Sequence, residues 1–530
     1  MAFAELAEID GDYAVAFEWP RPDFNVAAYE FVIGVMAVAF PLLEKGDWPP
    51  LWRKPPGRAD VEAALSPLRP AFFLTGEGPR FLQEFDGIDG DEKPIEALLI
   101  DTPGENGQKK NADLLTHRRR YEMLGLPAAA MALYNLQQFA PPGGAGNRTS
   151  LRGGGPMTNL VLPGDEAGGR PPLWRTVLAN LNYDTRYGWN ADDLPKILPW
   201  LAPTLTSDKA QGERDVSEED DFTHPLQAFF GMPRRIVLGG ESDGRCSMTG
   251  ASGPCISSFV QKPWGVNYGL WLHPLTPYRR QKEGDDPYSV KPKSARFGYR
   301  DWAAVTIGAK NKLLTRSAKP VASAFAERAG LLQPAGAMGS RLMACGWAMN
   351  NMEAVAYLDA EQPMHLTDDP ARMEDLEEMA RSFADAADVA ASILRIALRN
   401  ALFADGAKPS TDAGLFEDAR AAFYEATEDA FHDALDALLA EAALPDADAK
   451  DARRWRWLQQ MAMAVEVAFE RWAPIPTADP QRARRIVQAF GSMRSNLKGY
   501  GKSGRELFVA LSLPEPEARR HSGKGRRRGQ

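Results

Sequence analysis

Cysteine is nearly missing from this chain: Cys246, Cys255 and Cys345 are the three in 530 residues. So few thiols exclude a disulfide framework, their spacing fits no zinc pattern, and the expected compartment is a reducing, bacterial-type cytosol. Histidine is also sparse, at positions 117, 224, 273, 365, 432 and 521. There is no His-Glu-x-x-His, no Cys-x-x-Cys and no Gly-x-x-x-x-Gly-Lys-Ser/Thr loop. No familiar metalloprotease or P-loop site can be drawn, which favours a binding or scaffolding role over an enzyme. His273, between Leu272 and Pro274, reads as a core histidine. A long apolar run is lacking too. Residues 26–43 contain Glu30 and Pro41 and fall short of the ~18 uninterrupted apolar residues of a membrane span. They read as a buried helix capped by Asn25. The N-terminus has no basic stretch ahead of an apolar one, so no signal peptide is expected. Finally, there is no excess of positive charge. A net charge of −9 excludes a uniformly basic surface and leaves nucleic-acid binding to local patches.

Such patches exist at residues 118–120, 279–282, 291–300, 310–319 and 524–528. More distinctive is the stretch from Pro141 to Pro156, with six glycines, two arginines and no carboxylate in sixteen residues. Glycine lacks Cβ, so such a loop can take positive φ and bring main-chain N–H groups close to a phosphate-bearing partner. A long solvated turn would look the same, and the two readings stay level on composition. Dinucleotide-binding templates fit poorly, since the partial Gly144-x-Gly146 follows a helical segment and not a strand.

Along the chain, residues 13–17 look strand-like, residues 60–65 helical, and residues 86–108 rich in turns. An alanine-rich helix, 127–138, leads into the glycine stretch, and a strand at 157–162 and a helix at 173–181 follow. The acidic run 213–221 reads as a solvated loop, because consecutive carboxylates cannot all face one ion. Residues 235–269 carry short β-branched runs divided by glycine and proline, which predicts strands and hairpins. Here Gln261-Lys262-Pro263-Trp264-Gly265 reads as a turn with a lysine at its tip, of interest if it lies beside the glycine loop.

The last third changes character. Apolar residues at three- and four-residue spacing mark amphipathic helices around Leu376 to Ala397, residues 415–440, Trp455 to Trp472 and Ala483 to Tyr500. Four such helices with short connections predict an antiparallel four-helix bundle. The fold class is therefore α+β: a mixed globular domain over 1–366, the bundle over 367–511, and a basic tail over 512–530 expected to be disordered. Arg494, Lys498 and Lys502 share one face if the last helix runs that far.

The glycine loop leading into Leu151-Arg152-Gly153-Gly154, the lysine turn ahead of Gly269-Leu270-Trp271-Leu272-His273-Pro274, then Gly346-Trp347-Ala348-Met349-Asn350-Asn351-Met352-Glu353-Ala354 and the terminal helices occur in a specific order. That order resembles the CasA family, the large subunits of the type I-E CRISPR surveillance complex Cascade, over about residues 19–511. The resemblance implies a non-catalytic subunit that inspects duplex DNA for the protospacer-adjacent motif from the minor groove, helps open it for guide pairing and recruits a helicase-nuclease. It places the DNA-reading loop on Gly143, Gly144, Ala145 and Gly146, a lysine finger on Lys262 and a DNA wedge on Asn351 and Met352. It places the contact to the guide RNA 5′ end and the adjoining subunit on Leu114, Leu115, Thr116 and His117. Arg148 and Arg152 beside the loop, and Arg494 and Lys498 on the last helix, become candidate contacts to a nucleic-acid backbone.

The expected partners are double-stranded target DNA, the guide RNA 5′ end, other Cascade subunits and a helicase-nuclease, without a membrane. No cofactor is expected, and no zinc, because the place where some relatives carry a Cys-x-x-Cys is here Pro127-Ala128-Ala129-Ala130. Ala145 stands where relatives tend to carry glycine and Met352 where some carry glutamine, two departures at DNA-facing positions. An enzyme holding a substrate phosphate in the glycine loop, and a purely structural scaffold, are the other readings.

Overall fold

The structure, a computed structural model, describes residues 5–9, 13–109, 113, 117–144, 146–164, 170–208, 215–280, 282, 284–293, 296–306, 325, 327–328, 339–350, 353–367, 369–403, 414–476 and 479–516. The chain divides into two compact units, one of Met1–Phe297 with Ala304–Asp368, the other of Gly298–Ala303 with Asp369–Gln530.

The first unit is built on helix α1, Pro22–Ala39. Pro22 starts it, because its fixed φ suits a first helical position where no N–H partner is needed. The N-cap is Arg21 and not Asn25, whose side chain instead accepts a 2.7 Å hydrogen bond from the Trp19 N–H. By length and composition α1 could cross a membrane, but most of it is buried inside the protein. Gly34 permits a close neighbour, since a Cβ there would lie 2.6 Å from the Phe229 Cβ.

Burying α1 also buries Glu30, and the fold answers with Arg152. The Arg152 guanidinium lies 2.7 Å from Glu30 and also donates to Thr158, Thr276 and the Gln138 carbonyl. Arg152 is 4% exposed and sits over the Phe139 ring. It is therefore not placed to meet a nucleic-acid backbone, contrary to the expectation from its position beside the glycine loop. The carboxylate in the core claims it.

His273 packs beside this pair, with Nε2 3.7 Å from Glu30. Its Nδ1 accepts the Leu275 N–H at 3.1 Å, so the neutral ring carries its proton on Nε2. Burial, reinforced by the Arg152 charge, holds the imidazole well below its usual pKa. Because the folded form refuses a proton that the unfolded chain accepts below pH ~6.5, stability is intact above that pH and is lost as pH falls. We expect a loss of about 1 kcal/mol between pH 6.5 and 5.5 from this ring, read as a falling urea midpoint. His224, lowered by burial too, acts in the same direction.

The first unit also holds short antiparallel sheets. Strand β1 (Glu92–Pro94) pairs with the strand Ser258–Lys262, which pairs on its other side with Arg235–Gly239. Strand β2 (Leu124–Gly125) pairs with Ser252–Ile256, itself paired with Ser242–Arg245. Strand β3 (Thr158–Leu162) pairs with Arg341–Asn350, the first arm of a hairpin whose second arm is Glu353–Pro363. Helix α2, Leu126–Phe139, leads into the glycine stretch, and helix α3 spans Leu173–Ala179. Residues 13–17 form no strand. Ala14 receives a single backbone bond from Leu173, too little for a ladder.

From Asp369 onward the second unit has five helices among the described residues: α4 Pro370–Leu402, α5 Gly414–Leu439, α6 Ala447–Trp472, α7 Pro480–Leu497 and α8 Gly501–Ala510. Asp369, Asp446 and Asp479 cap α4, α6 and α7 through their carboxylates, and proline follows the first and last of these caps. Arg372 in the first turn of α4 donates to the carbonyls of Leu438, Leu439 and Glu441 at the far end of α5, so those two run antiparallel. Trp457 stacks on Phe383 at 5.1 Å in the core. The last predicted helix breaks in two. Gly499 and Gly501 take φ +87° and +78°, which ends α7 at Leu497 and restarts the chain as α8. Lys498 is the C-cap residue and Lys502 lies on α8, so Arg494, Lys498 and Lys502 do not line one helix face.

Candidate nucleic-acid interface

The glycine stretch is held at three places, each where a side chain would not fit. Gly146 (φ +77°) is the first: a Cβ there would lie 2.6 Å from Pro263 Cβ and 3.1 Å from the Trp264 ring. Its carbonyl accepts the Trp264 N–H at 2.7 Å. Asn147 donates to the Gly143 carbonyl and accepts from the Gln261 side chain at 3.0 Å. Gly154 is the second, closing the loop on itself with Pro142 Cδ 2.5 Å from its missing Cβ. Gly155 (φ +63°) is the third, lying under Met349 and the Trp347 carbonyl of the hairpin.

The loop and the turn at 261–265 are thus one assembly, as the lysine reading required. Lys262 is the last residue of its strand, opposite Arg235, and not the tip of the turn. The bend begins at Pro263 and passes through Trp264, which takes φ +67°. The Lys262 side chain makes no hydrogen bond or ion pair with a described residue. Its neighbour Arg235 is committed to Glu84 at 2.9 Å. Arg148 sits 5.3 Å over the Trp264 ring and donates to Ser207, whose hydroxyl reaches the Gly265 carbonyl. It therefore braces the turn as well as carrying charge. Gly144 (φ +81°) faces open space, with nothing within 4 Å of where its Cβ would be.

Gly143, Gly144, Gly146 and Lys262 therefore come together. Ala145 lies outside the described residues. So do Asn351 and Met352, although the flanking Asn350 and Glu353 are paired across the hairpin. Of the expected guide-end loop, Leu114, Leu115 and Thr116 also lie outside, and His117 is exposed. Arg494, on α7, is half exposed and pairs with Glu466 at 2.9 Å. Among the described residues no cluster of His, Cys, Asp or Glu could hold a metal ion.

Sequence reading misses Trp264 and Asn147, which fasten the loop to the turn, and Arg234 beneath both. The Pro-Trp-Gly following Lys262 is the visible signal for the first.

Chemically, the assembly offers a thin backbone edge with a cation beside it that has no partner among the described residues, and it couples both to a hairpin. Three solved structures share the fold. CasA from Thermus thermophilus is 18% identical with TM-score 0.62, over 90% of this chain and 92% of that one. Cse1 from Acidimicrobium ferrooxidans is 17% identical with TM-score 0.60, over 94% and 92%. A chain of a CRISPR RNA-guided surveillance complex is 16% identical with TM-score 0.64, over 91% and 92%. The fold is that of these CRISPR-associated proteins. The chain belongs to the family of CRISPR-associated protein Cse1, whose profile it matches over residues 4–467.

Proposed function

We propose that this chain is the non-catalytic Cascade subunit that inspects duplex DNA for a short motif flanking the guide-matched target. The reading is that Gly143, Gly144, Ala145 and Gly146 enter the minor groove with Lys262 beside them. Asn351 and Met352 wedge the duplex open, and the segment 114–117 meets the guide RNA 5′ end. Once the duplex is open, the subunit recruits a helicase-nuclease, and all of this takes place in the cytoplasm.

The observation that carries the proposal is the lock between the glycine loop and the lysine turn, with no hydrogen bond or ion pair at the Lys262 ammonium among the described residues. The minor groove is about 6 Å wide and presents a degenerate pattern of acceptors, so close backbone approach and a slim cation suit it better than forked side chains. A wedge must offset unstacking of roughly a few kcal/mol, which phosphate contacts and guide pairing can repay.

The test is binding of the assembled complex, with and without Lys262→Ala, to a guide-matched target flanked by a library of short motifs. We expect a few motifs to be preferred and the substitution to cut that preference about tenfold, the scale of one lost base-edge contact. Binding indifferent to both flank and Lys262 would leave this subunit a scaffold.

A further inference from the structure

Arg234 is an arginine in the wrong place for an ordinary structural role. It is 5% exposed and has no carboxylate partner among the described residues. Burial lowers its pKa to about 10, with no neighbouring charge to oppose the shift. A buried cation without a counter-ion is costly, and folds usually pair it, as this one pairs Arg152 with Glu30.

What surrounds Arg234 is the recognition assembly from below. Its Nη2 donates to the Pro141 carbonyl at 2.6 Å, at the start of the glycine loop. Nη1 lies 2.9 Å, and Nη2 3.1 Å, from where a Cβ on Gly143 would be, so the residue there must be glycine for the guanidinium to fit. Its backbone carries the turn: a Cβ on Gly265 would lie 2.1 Å from the Pro233 carbonyl oxygen and 3.1 Å from Arg234 N. Gln137 of α2 fixes this backbone from both sides, accepting from Arg234 N at 3.0 Å and donating to Arg234 O at 2.9 Å. The next residue, Arg235, is the strand partner of Lys262.

We infer that Arg234 is a positioning residue for flank recognition, its side chain seating the glycine loop and its backbone seating the lysine turn, so that the two meet DNA in one fixed register. This rests on the inspection reading above. Arg234 itself touches no DNA in this account; a rigid floor makes the contacts of others specific. Methionine in its place would fill much of the volume but release the Pro141 carbonyl and the space under Gly143.

The experiment uses the assembled, guide-loaded complex carrying Arg234→Met or Arg234→Lys. Each is measured against duplex targets with preferred and non-preferred flanks, and against a target whose guide-matched region is already unpaired and lacks a flank. For Arg234→Met we expect at least a fivefold fall in the ratio of preferred to non-preferred binding. Affinity for the pre-opened target should stay within about twofold, and the slope of log affinity against log salt should not change, because no phosphate contact is lost. Arg234→Lys should recover most of the preference. Should the methionine variant fail to assemble, Arg234→Gln, which stays polar but is two atoms too short to reach the Pro141 carbonyl as the guanidinium does, takes its place with the same expectation.

Full preference in Arg234→Met, or in Arg234→Gln where that replaces it, overturns the inference. So does an equal loss on the pre-opened target, which would mark a general folding defect. If the wild-type complex itself ignores the flank, the inspection reading has failed, and that control separates this outcome from a failure of Arg234 alone.

Discussion

Arg152→Met is expected to destabilise the mixed unit by about 3–5 kcal/mol, the scale of breaking one side of a buried ion pair. The substitution removes four hydrogen bonds at once, to Glu30, Thr158, Thr276 and the Gln138 carbonyl. The ordinary net worth of a hydrogen bond, about 1 kcal/mol, would not by itself single out this site. What decides the magnitude is Glu30, fully buried on α1 and left without a counter-charge. Burial already pushes the Glu30 carboxyl up and Arg152 pulls it back, so the variant carboxyl rises further and takes up a proton.

The sign of the pH dependence follows. A carboxyl raised in the folded state contributes stability below the unfolded value near 4.3 and loses it as pH rises towards the folded value. Relative to wild type, Arg152→Met should therefore be most impaired at high pH. Urea unfolding at pH 5.5 and 8 reads this as a midpoint gap that widens with pH. The double variant Glu30→Met with Arg152→Met should recover much of the loss, since no charge then remains buried. If the double variant is as unstable as the single one, packing around Phe139 and α1 is the cause instead of charge.

The same pair shows what sequence can and cannot reveal. A helix is legible in the apolar run 26–43, though it lies at Pro22–Ala39, and amphipathic spacing makes four long helices of the second unit legible in the same way. Glu30 inside the apolar run reads as an interruption, whereas in three dimensions it is the reason for Arg152. Pairing across 122 residues leaves no local trace, so Arg152 looks like one more loop cation. Gly499 and Gly501 are visible as glycines, but only their positive φ shows that they end one helix and start another. Within the site, the glycine loop and Lys262 are legible from type and order. Arg234 is not, because a buried arginine and a surface arginine are the same letter.

Gly146→Val should abolish flank discrimination, a loss of about a hundredfold between preferred and non-preferred motifs, while leaving the rest of the chain folded. Two costs act at this position and they can be told apart. The first is backbone strain. A side chain at φ +77° costs roughly 1–2 kcal/mol, and the same cost applies at Gly144, φ +81°. The second is collision: only at Gly146 would the new Cβ lie 2.6 Å from Pro263 and 3.1 Å from Trp264, whereas at Gly144 it meets open space. Valine at 146 must therefore drive the turn away and break the bond from Trp264 N–H to the Gly146 carbonyl. Lys262, the last residue of the strand that feeds the turn, then loses its register with the loop. Alanine at 144 strains the backbone alone and should cost about tenfold, or more if that edge lies directly against the groove floor. Binding of both variant complexes to the flanking-motif library makes the comparison. A larger loss for Gly144→Ala than for Gly146→Val would mean that backbone contact with DNA at 144 outweighs the lock between loop and turn. Equal losses would mean that strain governs both, and that the lock contributes nothing to reading the flank.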